Sequence, residues 1–453
     1  MFGTSGIRGP VGETVSTELA VSIGRTFPTA FPACESVLVG RDPRDSGRAL
    51  VDALAAGLQE AGVDVLTTGI ESTPTVARTL QSYDADAGIV VTASHNPPTD
   101  NGVKCWNPSG KAFTTAQQET LVTALETEQI TTAEWDGYGT RRRVTDARTR
   151  HEQALLDSLD TELSGMDVVV DIGNGAGRIT ADVLAKVGAS VTTLNGQPDG
   201  AFPGRPSEPT PDTCEDLCRL VRVREADLGI AHDGDADRML AVDNTGAFVS
   251  GDQLLALFAR DAINNASGSV VAAPLNTSRL VDDALAAVGG TVKRTQVGDV
   301  YVAQAAATDD DVVFGGEPSG AWIWPDSALC PDGPLAALTL TALLTTGPPL
   351  ADRIDTLPTY VTKRESIEVA HKQAQLDAVR DHIVTTYSEE DVSTGDGVRV
   401  TRPDGWFLIR ASGTEPLIRI TAEAATDATA SDLLETAREL LAETVGDYPD
   451  PGR

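Results

Sequence analysis

Short apolar runs rich in β-branched residues, each closed by a glycine turn and followed by a helical stretch, recur as far as about residue 250. The first series has runs at 37–39, 63–67 and 88–91, with a helix predicted over 46–61. The second has runs at 168–171, 190–194 and 228–231, with a helix over 176–187. A further round places helices at 254–263 and 279–288 and strands at 270–272 and 312–314. Strands alternating with helices bury both faces of a sheet, so these stretches predict α/β layers. After Pro348-Pro349 the texture changes. Strand-like runs at 366–369, 397–400, 406–410 and 417–422 mix with helices at 374–386 and 431–444 and predict a compact α+β domain. The expected division is three α/β domains, 1–150, 151–250 and 251–355, and a smaller domain, 356–453. A chain of 453 residues is too long for one ordinary domain, and an apolar content of 41% suffices for several cores.

Charge narrows the function. There are 67 acidic residues against 35 basic ones, a net charge of -32, and the acids are spread along the whole chain. This is a surface property of a globular protein rather than an acidic tail. It suits molar salt, where self-repulsion is screened over about 3 Å, and reads as the protein of a halophile. It argues against a nucleic-acid partner, which needs basic patches. No apolar run is long enough to span a bilayer, and the first ten residues do not resemble a secretory signal, so a cytoplasmic protein is expected. Five cysteines without metal-ligand spacing are expected to be reduced thiols; Cys214 and Cys218 fall on one face of a predicted helix.

Four loops carry the chemistry. Thr92-Ala93-Ser94-His95-Asn96-Pro97 follows the run at 88–91 and puts a hydroxyl at the carboxyl edge of a sheet, where α/β proteins bind ligands. His95 and Lys104 add a base and a cation nearby. A polar turn after a buried strand would read the same, but a hydrolase elbow would not, because the flanking glycines are absent. Asp233-Gly234-Asp235-Ala236-Asp237-Arg238 places three carboxylates at alternate positions of one tight loop. They repel one another unless a cation sits among them, and hard oxygen ligands in that number suit Mg²⁺. A calcium EF-hand is excluded by Arg238 at its sixth position and Asn244 at its twelfth. Gly315-Gly316-Glu317-Pro318-Ser319-Gly320 offers Glu317 and Ser319 to sugar hydroxyls, or is a plain turn. Arg410-Ala411-Ser412-Gly413-Thr414-Glu415-Pro416, with Arg419 beyond, combines guanidinium forks, hydroxyls and an open amide into an anion cradle, or is a solvated turn. A fifth loop, Asp171 to Gly177, is a poor dinucleotide fingerprint because its third glycine comes one position early.

In this order, one to each expected domain, the four loops resemble the α-D-phosphohexomutase family, which includes phosphoglucomutase, phosphomannomutase and phosphoglucosamine mutase. The resemblance runs from Gly3-Thr4-Ser5-Gly6-Ile7-Arg8-Gly9 to the Arg410 loop. It is nearest to the archaeal phosphoglucosamine mutase group in Phe2 to Gly9 and in Arg410 to Ile420. It implies three α/β domains with mixed-sheet cores and a smaller α+β domain, all lining a central cleft. It implies phosphoserine at Ser94, which joins Asp233, Asp235 and Asp237 around Mg²⁺, with Arg8, Lys104 and Arg238 about the reacting phosphoryl group. Sugar contacts fall on Glu317 and Ser319, and phosphate contacts on Arg410, Ser412, Gly413, Thr414 and Arg419. The implied reaction interconverts hexose 6-phosphate and hexose 1-phosphate through a bisphosphate, with hexose 1,6-bisphosphate as activator and glucosamine 6-phosphate as the expected substrate. Phosphomannomutase or phosphoglucomutase activity, a non-catalytic sugar-phosphate sensor and a metal-dependent phosphatase are the alternatives. One departure stands out: many relatives have histidine after the Ser-Gly pair of the sugar loop, and here it is Ala321. Proton handling is therefore expected of Lys104 or His95. Oligomeric state is not readable from the sequence.

Overall fold

The structure, a computed structural model, describes residues 6–128, 130, 132–412 and 416–445. Among these residues it contains four sheets, of six, five, four and five strands. The first is ordered Ile7–Pro10, Asp100–Trp106, Ala87–Val91, Ser36–Arg41, Asp64–Ile70 and Arg141–Arg143. Its centre is parallel, because helices such as Gly47–Glu60 and Thr73–Tyr83 carry the chain across its faces between strands. The second sheet is built round Asp167–Asp171, flanked in parallel by Ser190–Leu194 and Leu228–His232. The third is built round Val270–Pro274, flanked in parallel by Thr291–Thr295 and Val312–Gly316. The fourth is wholly antiparallel, with Val361–Glu368, Leu417–Ala424, Gly405–Ala411, Val398–Arg402 and Val392–Ser393 in that order, packed against Lys372–Thr386 and Asp427–Val445.

The architecture is the expected one of three mixed α/β layers and a smaller α+β domain. The expected runs at 37–39, 88–91 and 228–231 are the cores of fully buried strands, since only such strands are apolar on both faces. The run expected at 366–369 is shifted: that strand is Val361–Glu368, whose alternating polar face hides its earlier half. The strands absent from the sequence reading are mostly the ones that return antiparallel. Asp100–Trp106 pairs with Ala87–Val91, Met239–Val242 with Leu228–His232, and Trp322–Ile323 with Val312–Gly316. In the fourth sheet, Gly405–Ala411 pairs with Leu417–Ala424 in the same way. Each of the four chemistry-bearing loops is thus the connection of an antiparallel pair, held by hydrogen-bonded strands on both sides.

The second and third sheets share one continuous apolar core, from Leu155 through Phe258 and Trp322 to Leu357. Burying each large aliphatic side chain there contributes about 1.5–3 kcal/mol. The first and fourth sheets have their own cores, the first touching the third unit at Cys330, and they meet their neighbours largely through polar pins. His151, on helix Ala147–Asp157, reaches Thr75 Oγ1 at 2.8 Å with Nδ1 and Asp332 Oδ2 at 3.1 Å with Nε2. Arg78 Nε donates to the same Asp332 oxygen at 2.7 Å. At the other end of the chain the buried Arg399 donates to the carbonyls of Leu275 and Thr277 and stacks 4.0 Å over Trp406. Arg279 N and Trp406 Nε1 both donate to Glu423 at 2.8 Å. No helix among the described residues is long and apolar enough to cross a membrane.

Arg399→Met should loosen the fourth unit specifically. It leaves two buried carbonyls without their donor, a loss of about 1–3 kcal/mol each, partly offset because burial already pulls the guanidinium down to about 9. Thermal unfolding should start earlier, and limited proteolysis should cut first in the 356–360 connection. An unchanged cleavage pattern would show that the pin is dispensable.

Candidate active site

Ser94 ends the turn after Ala87–Val91 with φ of 51°, the left-handed region that L-residues occupy at a cost of about 1–2 kcal/mol. Ala236, in the carboxylate loop, is held likewise at φ of 57°. Two strained residues at two facing loops mark a place where geometry is imposed by the surroundings. For Ser94 the imposing residue is Arg44, which is fully buried. Its guanidinium pairs with Asp42 at 2.9 Å and donates to the carbonyls of Ser94 at 2.9 Å, Asn96 at 2.7 Å, Asp100 at 2.9 Å and Pro97. Asp42 in turn accepts from Thr92 Oγ1 at 2.7 Å, and that hydroxyl accepts from Ser94 N at 2.9 Å. The Arg44 guanidinium also lies 5.0 Å over the Phe202 ring, which packs beside Gly234. Neither Arg44 nor Asp42 was singled out in the sequence; the only signal was a charged Arg-Asp-Pro-Arg-Asp run directly after an apolar strand.

The carboxylate loop meets Ser94 across this boundary. Ser94 Oγ donates to Asp233 Oδ2 at 2.6 Å. Asp233, Asp235 and Asp237 are all buried, and one ligand atom from each lies within 4.8 Å of the others. Lys104, from Asp100–Trp106, places its Nζ 2.7 Å from Asp237 Oδ2 and 3.4 Å from Asp235 Oδ2. Arg8 lies across Gly102 in the neighbouring strand, where any side chain would strike its Cγ at 2.9 Å and the Ile7 carbonyl at 2.5 Å. Three buried polar atoms here have no hydrogen-bond partner among the described residues: Arg8 Nε, Asp235 Oδ1 and Asp237 Oδ1. Orphaned oxygens in a buried cluster of three carboxylates are what a hard cation would satisfy, so the donor set fits Mg²⁺.

The electrostatics follow from burial and crowding. Burial, then Asp237 and Asp235, push Asp233 well above the usual carboxylate range. Burial also opposes ionisation of Asp235, yet Lys104 and the Thr73 hydroxyl hold it below that range. Burial works against the Lys104 ammonium, but Asp235 and Asp237 overcome it and raise its pKa. His95, with Nδ1 3.4 Å from Ser94 Oγ, is pulled down to about 2 by burial and then by Arg238, Arg8 and Lys104. It is a neutral imidazole.

The sugar loop is joined to the carboxylate loop through the main chain. Arg238 bridges to Ala321, and Met239 N donates to Gly320 O at 2.9 Å. Glu317 is buried, accepts from Gly298 N at 2.7 Å and from Ser319 Oγ at 3.3 Å, and is pushed up to about 7 by burial and Asp299. Ala321 is 4% exposed inside this turn and offers only a methyl group. In the fourth unit Arg410 and Arg419 face each other across Gly405–Ala411 and Leu417–Ala424. Like charges opposite one another are unfavourable without an anion between them. Here Asp396 takes Arg410 Nη1 at 3.1 Å. Ser412 is buried at the end of the strand, and its carbonyl accepts from Lys372 Nζ at 2.5 Å. Gly413 and Thr414 lie outside the described residues.

The Asp171–Gly177 loop serves packing. A side chain at Gly175 would come within 2.7 Å of Gly234 O, and one at Gly173 within 2.7 Å of the Arg205 guanidinium. Arg205 ties Asp171 to the His232 carbonyl, at 2.6 Å each, and so holds the base of the carboxylate loop.

All four units match models of phosphoglucomutase/phosphomannomutase domains: alpha/beta/alpha domain I over residues 1–131, domain II over 150–246, domain III over 250–360 and the C-terminal domain over 366–440. A Methanosarcina acetivorans protein named "Probable phosphoglucosamine mutase" is 44% identical over 427 residues, covering 94% of this chain and 95% of its own. One of the same name from Methanopyrus kandleri is 42% identical over 451 residues, covering 98% and 96%. Among solved structures, a phosphoglucomutase/phosphomannomutase family protein from Burkholderia thailandensis is 27% identical, covers 99% of both chains and superimposes with a TM-score of 0.88.

Two measurements test this geometry. Arg44→Lys keeps the charge but loses the planar fork, so the Ser94 turn should drift; a shift of about 1 Å at a reacting group can lower rate about 100-fold. kcat should fall while KM changes little, and an unaltered kcat would remove Arg44 from the account. Glu317 binds a proton more readily folded than unfolded, so wild-type stability should fall as pH rises from the usual glutamate range to about 7 and then level off. Glu317→Gln lacks that loss. Its melting temperature relative to wild type should climb over this window, and a pH-independent difference would contradict the raised value.

Proposed function

Because the chain belongs to the phosphoglucomutase/phosphomannomutase family of phosphohexomutases, we propose that it moves a phosphoryl group between the 6- and 1-positions of glucosamine phosphate. One observation carries the residue assignment: the strained Ser94 hydroxyl lies 2.6 Å from Asp233, inside a buried carboxylate cluster with two orphaned oxygens. The names of the archaeal relatives favour glucosamine phosphate as substrate.

In this reading Ser94 is the phosphoryl carrier. A sugar hydroxyl attacks phospho-Ser94: the new P–O bond forms to the sugar, the bond to Ser94 Oγ breaks, and the hydroxyl proton passes to a base. The resulting hexose 1,6-bisphosphate turns over in the cleft, and its other phosphoryl group returns to Ser94, leaving the isomer. Free hexose 1,6-bisphosphate would act as activator by loading Ser94. Asp233, Asp235 and Asp237 would hold Mg²⁺, which supplies charge neutralisation to the transferring group. Lys104 stays cationic between its two carboxylates and cannot accept the proton; His95 beside Ser94 is the remaining candidate, although burial and three neighbouring cations make its ring a weak base. Arg8 and Arg238 would steady the oxygens in flight, with Arg8 Nε presenting a donor that has no partner among the described residues. Glu317 and Ser319 would grip sugar hydroxyls, and Arg410, Ser412, Gly413, Thr414 and Arg419 the distal phosphate in either orientation.

The net charge of -32 sets the assay medium at molar KCl, as for a halophile's enzyme. With Mg²⁺ and a trace of hexose 1,6-bisphosphate, ³¹P NMR should show glucosamine 6-phosphate isomerising faster than glucose or mannose phosphates. Comparable rates on all three would make it a general phosphohexomutase, and phosphate release without isomerisation would refute mutase chemistry. Intact mass should show a fraction carrying one phosphate, lost in Ser94→Ala together with nearly all turnover. A Ser94→Ala protein with more than a few per cent of wild-type rate would end the carrier assignment.

A further inference from the structure

Asp235 has two oxygens in unlike surroundings. Its Oδ2 accepts from Thr73 Oγ1 at 2.6 Å and lies 3.4 Å from Lys104 Nζ. Its Oδ1 is buried without a hydrogen-bond partner among the described residues. Asp237 repeats the arrangement, with Oδ2 on Lys104 at 2.7 Å and Oδ1 orphaned. In each case the partnered oxygen fixes the plane of the carboxylate and leaves the other free. For Asp237 the fixing group is a cation; for Asp235 a neutral hydroxyl makes the shortest contact.

We propose that Thr73 is a positioning residue for the carboxylate cluster, its hydroxyl orienting Asp235 so that the free oxygen is presented to a divalent cation. The inference rests on the metal reading given above. Thr73 belongs to the first unit and Asp235 to the second, so the contact crosses a boundary. It is doubled by the main chain, where Thr73 N donates to Asp235 O at 2.9 Å. Thr73 is fully buried, and its β-branch restricts rotation about χ1.

The helix beneath it is equally fixed. Thr73 opens Thr73–Tyr83, whose N-cap is Ser72. One turn on, Thr75 and Arg78 are pinned through His151 and directly to Asp332, which itself caps Gly333–Leu344 in the third unit. The Thr73 hydroxyl therefore stands on a strut braced by the third unit at Asp332, whose neighbour Gly333 packs against the carboxylate loop. Packing alone would be met by valine, which has the same shape. What valine lacks is the donor, and without it the Asp235 carboxylate is free to rotate toward Lys104 and turn Oδ1 away.

Outer-sphere partners of metal-binding groups typically account for a 10- to 100-fold change in affinity. The test uses the full-length, dephosphorylated protein in molar KCl, titrated with Mn²⁺ and read by electron paramagnetic resonance. Thr73→Val should weaken Mn²⁺ binding about 10-fold or more, while Thr73→Ser, which restores the donor, should stay within a few-fold of wild type. Thermal midpoints in excess EDTA report fold alone. A Thr73→Val protein with a lower midpoint but wild-type Mn²⁺ affinity would make Thr73 a packing residue and overturn the proposal. So would Thr73→Ser binding as weakly as the valine variant. If the valine variant does not fold, Thr73→Ala takes its place with the same expectation. Failure of the wild-type protein to bind Mn²⁺ would sink the metal reading itself, a result distinct from failure of Thr73.

Discussion

Three buried carboxylates on a five-residue stretch are the constraint from which the rest of the molecule follows. Their mutual repulsion and lost hydration are far too large to be borne by the loop that carries them. The structure answers by bringing compensating groups from elsewhere. Lys104, Thr73 and Ser94 come from the first unit and the Arg238 guanidinium from the loop itself. The contacts made by Lys104, Thr73 and Ser94 are also contacts between units, so neutralising the cluster and assembling the cleft are one process. This explains how the first unit, with a separate apolar core, is nonetheless placed precisely enough to offer a hydroxyl 2.6 Å from Asp233.

The antiparallel pairs give the second half of the explanation. In a purely parallel layer, the loop after a strand runs into a helix and is anchored firmly at one end only. Here Ala87–Val91, Leu228–His232, Val312–Gly316 and Gly405–Ala411 each return through a hydrogen-bonded partner strand. The return strand fixes the far end of the loop and brings residues of its own: Lys104 lies on one and Arg419 on another. Building a site from four such tips allows each to be rigid while the units remain separable.

The sequence reveals the outward strands because they are buried on both faces and therefore continuously apolar. Of the return strands, Leu417–Ala424 shows as the run at 417–422, whereas Asp100–Trp106 is obscured for the opposite reason: it is buried too, but it lines the cleft and carries Asp100, Asn101 and Lys104. Ser94, the three aspartates and Glu317 stand out because clustered polar residues after an apolar run are conspicuous. Arg44 and Thr73 do not, since a single arginine or threonine acquires its role only when a distant segment folds against it: Arg44 caps carbonyls about fifty residues away, and Thr73 meets Asp235 from another unit. The glycines at 173 and 175 were suggestive of a nucleotide loop for a related reason. Close backbone approach is the shared need, and here what approaches is the carboxylate loop.

The fourth unit poses the corresponding problem with the sign reversed. Arg410 and Arg419 sit opposite one another, and Asp396 supplies an anion from the same unit. The Asp396 oxygen that accepts from Arg410 also accepts from Val297 N at 3.2 Å, and the next amide, Gly298 N, donates to Glu317. The arginine proposed for the distal phosphate and the glutamate proposed for the sugar are therefore tied to adjacent residues of one turn. A phosphate dianion entering the cradle competes with Asp396 for Arg410, and any release of Asp396 frees the amide of Val297 beside the one that orients Glu317. If Arg410 and Glu317 hold the proposed phosphate and sugar, the two contacts are joined by a two-residue main-chain link, and the junction between the third and fourth units would be part of the site rather than a passive support for it.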